Sequence, residues 1–210
     1  MAGSTATRAE IGAMLRIELL APDGRPDGDG FAVDHDLGDP DAAGSRELTV
    51  EVRWTGSEPV ERGVRIGLEL DADADVPHWL IPGLFYGENR PVACRRRFPR
   101  YERGMLDPEG MTCETWSFRA DRAATPAIFG WSGGRMAMIA VEETSALGPA
   151  GIGFEGSANR SSVWADLPYR EEPIAYRGYD APDPPDVLTH TWRPGEAAVL
   201  TVRVALGGPD

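Results

Sequence analysis

Strict alternation of apolar and polar residues limits this chain more than any other feature. Across Glu47–Thr55, Leu48, Val50, Val52 and Trp54 alternate with Glu47, Thr49, Glu51 and Arg53, the period of a strand with one buried and one wet face. Val64, Ile66, Leu68 and Leu70 repeat the pattern against Arg65, Glu69 and Asp71. T-G-S-E-P-V-E-R-G between them reads as a hairpin connection, so the two strands are expected to pair antiparallel.

Near the other end Leu200, Val202, Val204 and Leu206 alternate around Thr201 and Arg203, after an R-P-G-E turn and a strand from Val187 that carries His190 and Trp192. Ala127–Val141 differs because it is apolar on both faces: A-I-F-G-W, a tight S-G-G-R turn, then M-A-M-I-A-V. It reads as a hairpin buried in the middle of the domain. Met14–Ala21, Phe31–Asp36, Thr112–Arg119, Ile152–Gly156 and Ser162–Ala165 are further strand candidates, and only the first dozen residues suit a short helix. About nine to twelve short strands with Gly, Pro and Asp turns describe an all-β antiparallel sandwich with very little helix. One β-sandwich domain is expected over residues 1–210, and the terminal G-G-P-D directly after a strand reads as a domain boundary, so the chain is expected to be one module of a longer protein.

Composition excludes several functions. A net charge of −13 opposes the phosphate backbone of nucleic acid and an anionic membrane surface. All 21 basic residues are arginine, which rules out Schiff-base chemistry and a P-loop lysine. Three histidines and two cysteines do not make a structural zinc site, and no cofactor motif is present. Asp71, Asp73 and Asp75 begin a calcium-loop pattern, but Val76 stands where the turn needs glycine and Pro82 where the bidentate Glu belongs, so no metal site is assigned. No apolar run suits a signal peptide or a membrane span. The expected location is cytoplasmic, with Cys94 and Cys113 reduced.

The ligand candidate is V-P-H-W-L-I-P-G-L-F-Y-G-E-N-R-P, placed before an arginine run. Trp79 and Tyr86 offer flat apolar faces, and Glu88, Asn89 and Arg90 offer directional hydrogen bonds. That mixture suits a sugar better than a metal or nucleotide. Arg90, Arg95, Arg96, Arg97, Arg100 and Arg103 bring six guanidinium groups into fourteen positions. They point to an acidic sugar, or to the protein's own acidic loops or a neighbouring domain. Trp131, Trp164 and Trp192 are further stacking candidates, although Trp54, Trp116 and Trp131 fit a core better, while Trp79 in an irregular loop has the better claim to exposure. His78 with Glu88 is the one acid/base pair an aldose-epimerase-like enzyme would use, and Glu142 or Glu143 is a glycosidase-type carboxylate without an assignable partner. No complete catalytic set is assigned to this chain.

P-H-W-L-I-P-G-L-F-Y-G-E-N-R, followed from Trp116 by W-S-F-R-A-D-R-A-A-T-P-A-I-F-G-W, resembles the N-terminal β-domain of bacterial six-hairpin glycosidase-like proteins. The resemblance implies a galactose-mutarotase-like supersandwich over Arg46–Leu206, followed in the parent protein by an alpha/alpha toroid that carries the catalytic carboxylates of a glycoside hydrolase. It implies a β-domain that braces the toroid and lends it loop residues, with Tyr86, Glu88, Asn89 and Arg90 matching the F-Y-G-x-N-R pattern. A purely structural interdomain sandwich is the other reading.

Overall fold

The computed structural model describes residues 6–70, 78–86, 115–157, 160–172 and 184–207. In chain order these form helix α1 (Arg8–Met14) and strands β1 (Leu15–Leu20), β2 (Phe31–Leu37), β3 (Arg46–Trp54), β4 (Val60–Leu70), β5 (His78–Ile81), β6 (Phe85–Tyr86) and β7 (Thr115–Arg119). A 3-10 turn (Ala120–Arg122) precedes β8 (Ala127–Ser132), β9 (Arg135–Ala140), β10 (Thr144–Ser145), β11 (Gly148–Pro149), β12 (Gly151–Ser157) and β13 (Arg160–Leu167). The last four are β14 (Arg170–Glu171), β15 (Asp186–Val187), β16 (His190–Trp192) and β17 (Ala197–Gly207). The expected all-β class with little helix is what the chain forms.

Helix α1 starts where Thr7 closes a capping box: its hydroxyl accepts from the Glu10 N–H at 3.2 Å, and its own N–H donates to the Glu10 carboxylate at 2.8 Å. The strands build a six-stranded sheet, ordered β1-β4-β13-β12-β7 with β16 also on β4, and a seven-stranded sheet, ordered β2-β3-β17-β9-β8-β5-β6. β13 packs across β8 and β9, and β4 across β9. Between the sheets lie Leu48, Val50, Val52, Ile128, Ile139, Val202 and Val204 from one side, and Val64, Ile66, Leu68, Ile152, Phe154 and Val163 from the other, all buried.

β3 and β4, expected to form a hairpin, are in different sheets. β3 pairs with β2 and β17, whereas β4 pairs with β1, β13 and β16. Alternation fixes which face of a strand is buried and leaves its lateral neighbour open. Here the two buried faces meet across the core, and the connection between Trp54 and Val60 carries the chain from one sheet to the other.

The β8–β9 hairpin forms as expected, with Gly133 and Gly134 at φ 58° and 71° in the two central turn positions. It sits inside the seven-stranded sheet, but only one of its faces meets the core. Ile128, Ala137 and Ile139 point inward, while Phe129, Met136 and Met138 are half-buried and Trp131 is 36% exposed. The expectation of burial on both faces, and of Trp131 in the core, is therefore corrected.

Two further features position the surfaces discussed below. On the six-stranded sheet Trp164 lies over Gly153, and the Asp166 carboxylate, 1% exposed, accepts from Arg65 at 2.7 and 2.9 Å, from the Trp164 indole at 3.0 Å and from Ser117 at 3.3 Å. At the far end of the seven-stranded sheet β2 pairs, among the described residues, with β3 alone, and the N–H of His35 is taken at 2.8 Å by the carboxylate of Asp34.

Candidate functional site

The segment singled out in the sequence enters the fold as a strand rather than an irregular loop, and that decides which of its side chains are reachable. β5 pairs with β8 in the register His78 to Trp131, Trp79 to Gly130 and Leu80 to Phe129. Successive residues of a strand face opposite sides, so Trp79 joins the inward row with Gly130, Ala137 and Leu206. It is 6% exposed and stacks on Phe154 across the core, with ring centroids 4.9 Å apart and planes 14° from parallel. Gly130 makes room for it: a Cβ there would come within 2.7 Å of the Trp79 ring. Trp79 therefore offers no open face to a ligand.

The alternate positions make a different surface. Tyr86, Leu80, Phe129, Met138 and Ala205 occupy one cross-strand row, and His78, Trp131, Met136 and Gly207 the next. Trp131 is exposed, and its ring lies 17° from parallel to that of Phe129, centroids 6.2 Å apart. Leu80, Met136 and Met138 are partly exposed beside them. This is an apolar, aromatic stripe on the outer face of the seven-stranded sheet, at the place where the chain runs on past Tyr86.

Of the other sequence candidates, the backbone of Tyr86 pairs with Leu80 and that of His78 with Trp131, and their side chains are outside the described residues. Glu88, Asn89, Arg90 and the arginines up to Arg103 also lie outside them, as do Asp71, Asp73, Asp75, Cys94 and Cys113. The His78/Glu88 pair of side chains therefore lies outside the described residues. Glu142 and Glu143 are exposed just past β9. Trp164 and Trp192 are buried, the latter donating its indole N–H to the Arg62 carbonyl at 3.2 Å. His190 contacts Glu196 at 2.8 Å, and Glu196 also accepts from the Arg193 N–H, so this histidine fastens a turn. Among the described residues no three His, Cys, Asp or Glu side chains converge to hold a metal. No helix among them is long and apolar enough to cross a membrane.

A second polar cluster escaped sequence reading altogether. Glu171 on β14 is 3% exposed, takes the Arg122 guanidinium at 2.8 Å with one carboxylate oxygen, and has no hydrogen bond to the other. Burial pushes this carboxyl above the ordinary glutamate value, opposed by Arg122 and Arg119 and reinforced by Asp186 and Asp121. Tyr169 donates to Asp186 at 3.0 Å and lies under the Arg119 guanidinium. No local motif marks these residues, because Glu171 meets Asp186 only through strand pairing.

No family model matches the chain, and no curated protein matches it. Among solved structures it is similar to the galactosidase domain of the alpha-galactosidase-sucrose kinase AgaSK, at 9% identity and a TM-score of 0.43, over 91% of this chain and 30% of that one. Slr1438 of Synechocystis sp. PCC 6803 aligns at 8% identity and a TM-score of 0.41, over 91% and 66% of the two chains. The GH36 alpha-galactosidase AgaA of Geobacillus stearothermophilus aligns at 9% and 0.37, over 92% and 30%. This chain spans less than a third of the two galactosidase structures.

Proposed function

We propose that this β-sandwich is a carbohydrate-recognition module whose binding surface is the aromatic stripe around Trp131 and Phe129. The observation that carries the reading is the exposed Trp131 ring, set nearly parallel to Phe129 on the outer sheet face. A tryptophan left open in this way gives the C–H face of a pyranose ring an apolar platform, and its indole edge supplies a donor. Tyr86, Glu88, Asn89 and Arg90, which continue the chain from the same rows, are proposed as the polar complement. Trp79, buried against Phe154, lies outside this site.

In this reading the chain is the N-terminal module of a glycoside hydrolase-like protein in the bacterial cytoplasm. It braces a following alpha/alpha toroid, and no reaction is assigned to the chain by itself. Leu80, Met136 and Met138 favour a second reading, because Met and aromatic side chains are common where one protein surface covers another. There the stripe is simply the seat of a neighbouring domain.

Tryptophan fluorescence titrated with a panel of oligosaccharides separates the two. Binding that saturates and is lost in Trp131→Ala, with the fold intact by circular dichroism, supports the module. A flat response across the panel at millimolar ligand leaves the interdomain seat.

A further inference from the structure

Asp23–Gly24, Asp27–Gly28 and Asp29–Gly30 are the three Asp–Gly bonds of the chain, and they fall within eight residues between β1 and β2. Such a bond can rearrange. The glycine nitrogen attacks Cγ of the aspartic acid, the nitrogen gives up its proton and the carboxyl its hydroxyl as water, and a five-membered succinimide closes. Water then adds to either ring carbonyl. Addition at the backbone carbonyl leaves an isoaspartate of unchanged composition, in which the main chain runs through Cγ and Cα carries the carboxylate. Glycine favours the attack because no Cβ crowds its nitrogen. The sequence thus offers three equivalent sites, and the fold separates them.

Asp23 is guarded twice. Its carboxylate accepts from the Arg25 Nε at 2.6 Å and from the Arg25 backbone N–H at 3.1 Å, and these bonds, the guanidinium's first, hold it below the ordinary aspartate range and so against the protonation that lets its hydroxyl leave. The Gly24 nitrogen donates to the Ala21 carbonyl at 2.8 Å. Asp27 is half-buried and fixed at both ends by one arginine: its carboxylate is paired with Arg62, and its carbonyl accepts from the Arg62 Nε at 3.1 Å. Asp29 has neither restraint. It is exposed, and among the described residues nothing bonds to its carboxylate and the Gly30 nitrogen donates to no acceptor. On its other side Gly30 is fixed, since its carbonyl accepts from the Thr55 N–H at 2.8 Å and the Thr55 hydroxyl at 2.6 Å, and a Cβ on it would lie 2.5 Å from the Trp54 ring. An extra main-chain carbon directly before Gly30 has to push it off Thr55 and Trp54, where the ladder of β2 on β3 begins with Phe31 opposite Trp54.

We propose that Asp29 is the modification site of this loop: the folded chain rearranges there to isoaspartate, its two neighbours are protected, and the product unfastens the first residues of β2. The full chain is incubated for several weeks at physiological pH and temperature, folded and, in parallel, unfolded in urea. Trypsin, blocked at Arg25 by Pro26, releases residues 17–46 as one peptide, and electron-transfer fragmentation locates isoaspartate within it. The expected result is isoaspartate at all three positions in urea and at Asp29 alone in the folded chain. Asp29→Glu should lose the product, because its longer side chain would have to close a six-membered ring. Amide exchange across residues 31–37 should be faster in the aged, Asp29-modified fraction than in fresh chain. Absence of isoaspartate at Asp29 in the folded chain, or its appearance at Asp23 or Asp27 as fast as at Asp29, overturns the assignment. Unchanged exchange in β2 overturns the unfastening.

Discussion

Asp166 and Glu171 are both buried acids on the six-stranded side of the molecule, and their surroundings give them opposite effects on stability. Asp166 has every oxygen answered by Arg65, Trp164 or Ser117. Removing it strands a largely buried guanidinium, so Asp166→Ala is expected to lower the unfolding free energy by about 3–5 kcal/mol, read from urea denaturation. Glu171 instead leaves one oxygen unbonded, and burial raises its pKa in the fold. A carboxyl whose folded pKa is raised binds its proton more readily in the native state than in the unfolded chain. Stability from this group therefore grows as pH falls through the folded value toward the ordinary one, and is lost above it. Glu171→Gln should accordingly raise the denaturation midpoint at pH 8, by a margin that shrinks on approach to the ordinary glutamate range. Asp41, held low first by the Ser45 hydroxyl, has the reverse sign: its contribution is present above its unfolded value and fades as acid protonates it.

Single-residue parity decides what each strand offers. Reading β5 as a loop placed Trp79 outside. Pairing with β8 turns it inward and brings Trp131 out in its stead. The two tryptophans should then respond very differently to truncation: Trp79→Ala is expected to cost about 3–5 kcal/mol, and Trp131→Ala less than about 1 kcal/mol. Gly130→Ala belongs with the first, since its methyl would press on both Trp79 and Val163 and cost about 1–3 kcal/mol. Thermal denaturation of the three variants side by side tests the register. The sequence announced the long alternating strands β3, β4 and β17 and the glycine turn of β8–β9, because each is a local pattern. It was silent on partners: the β3–β4 hairpin failed since two strands with one buried face each can meet edge to edge or face to face. For the same reason the outward side of β8–β9 could not be told from a covered one, as apolar residues on both faces suit either. The polar half of the proposed site, Glu88 to Arg90, follows a strand the sequence did not show.

At the scale of the whole molecule the chain carries thirteen excess negative charges, and among the described residues the outer face of the seven-stranded sheet is aromatic around Trp131 and acidic along β2. β2 closes the acidic side, and there the Asp34 carboxylate occupies the N–H that a visiting strand would need, with Asp36 adding charge beside it. Exposed sheet margins are templates for lateral growth unless they are blunted. Val33, 40% exposed on this strand, is the apolar side chain such growth would cover. Asp34→Val is therefore expected to convert a dispersed solution into one that polymerises on standing. Light scattering and a thioflavin signal should rise with concentration in the variant and stay flat in the parent, so that one aspartate sets how crowded this molecule can become before it joins with itself.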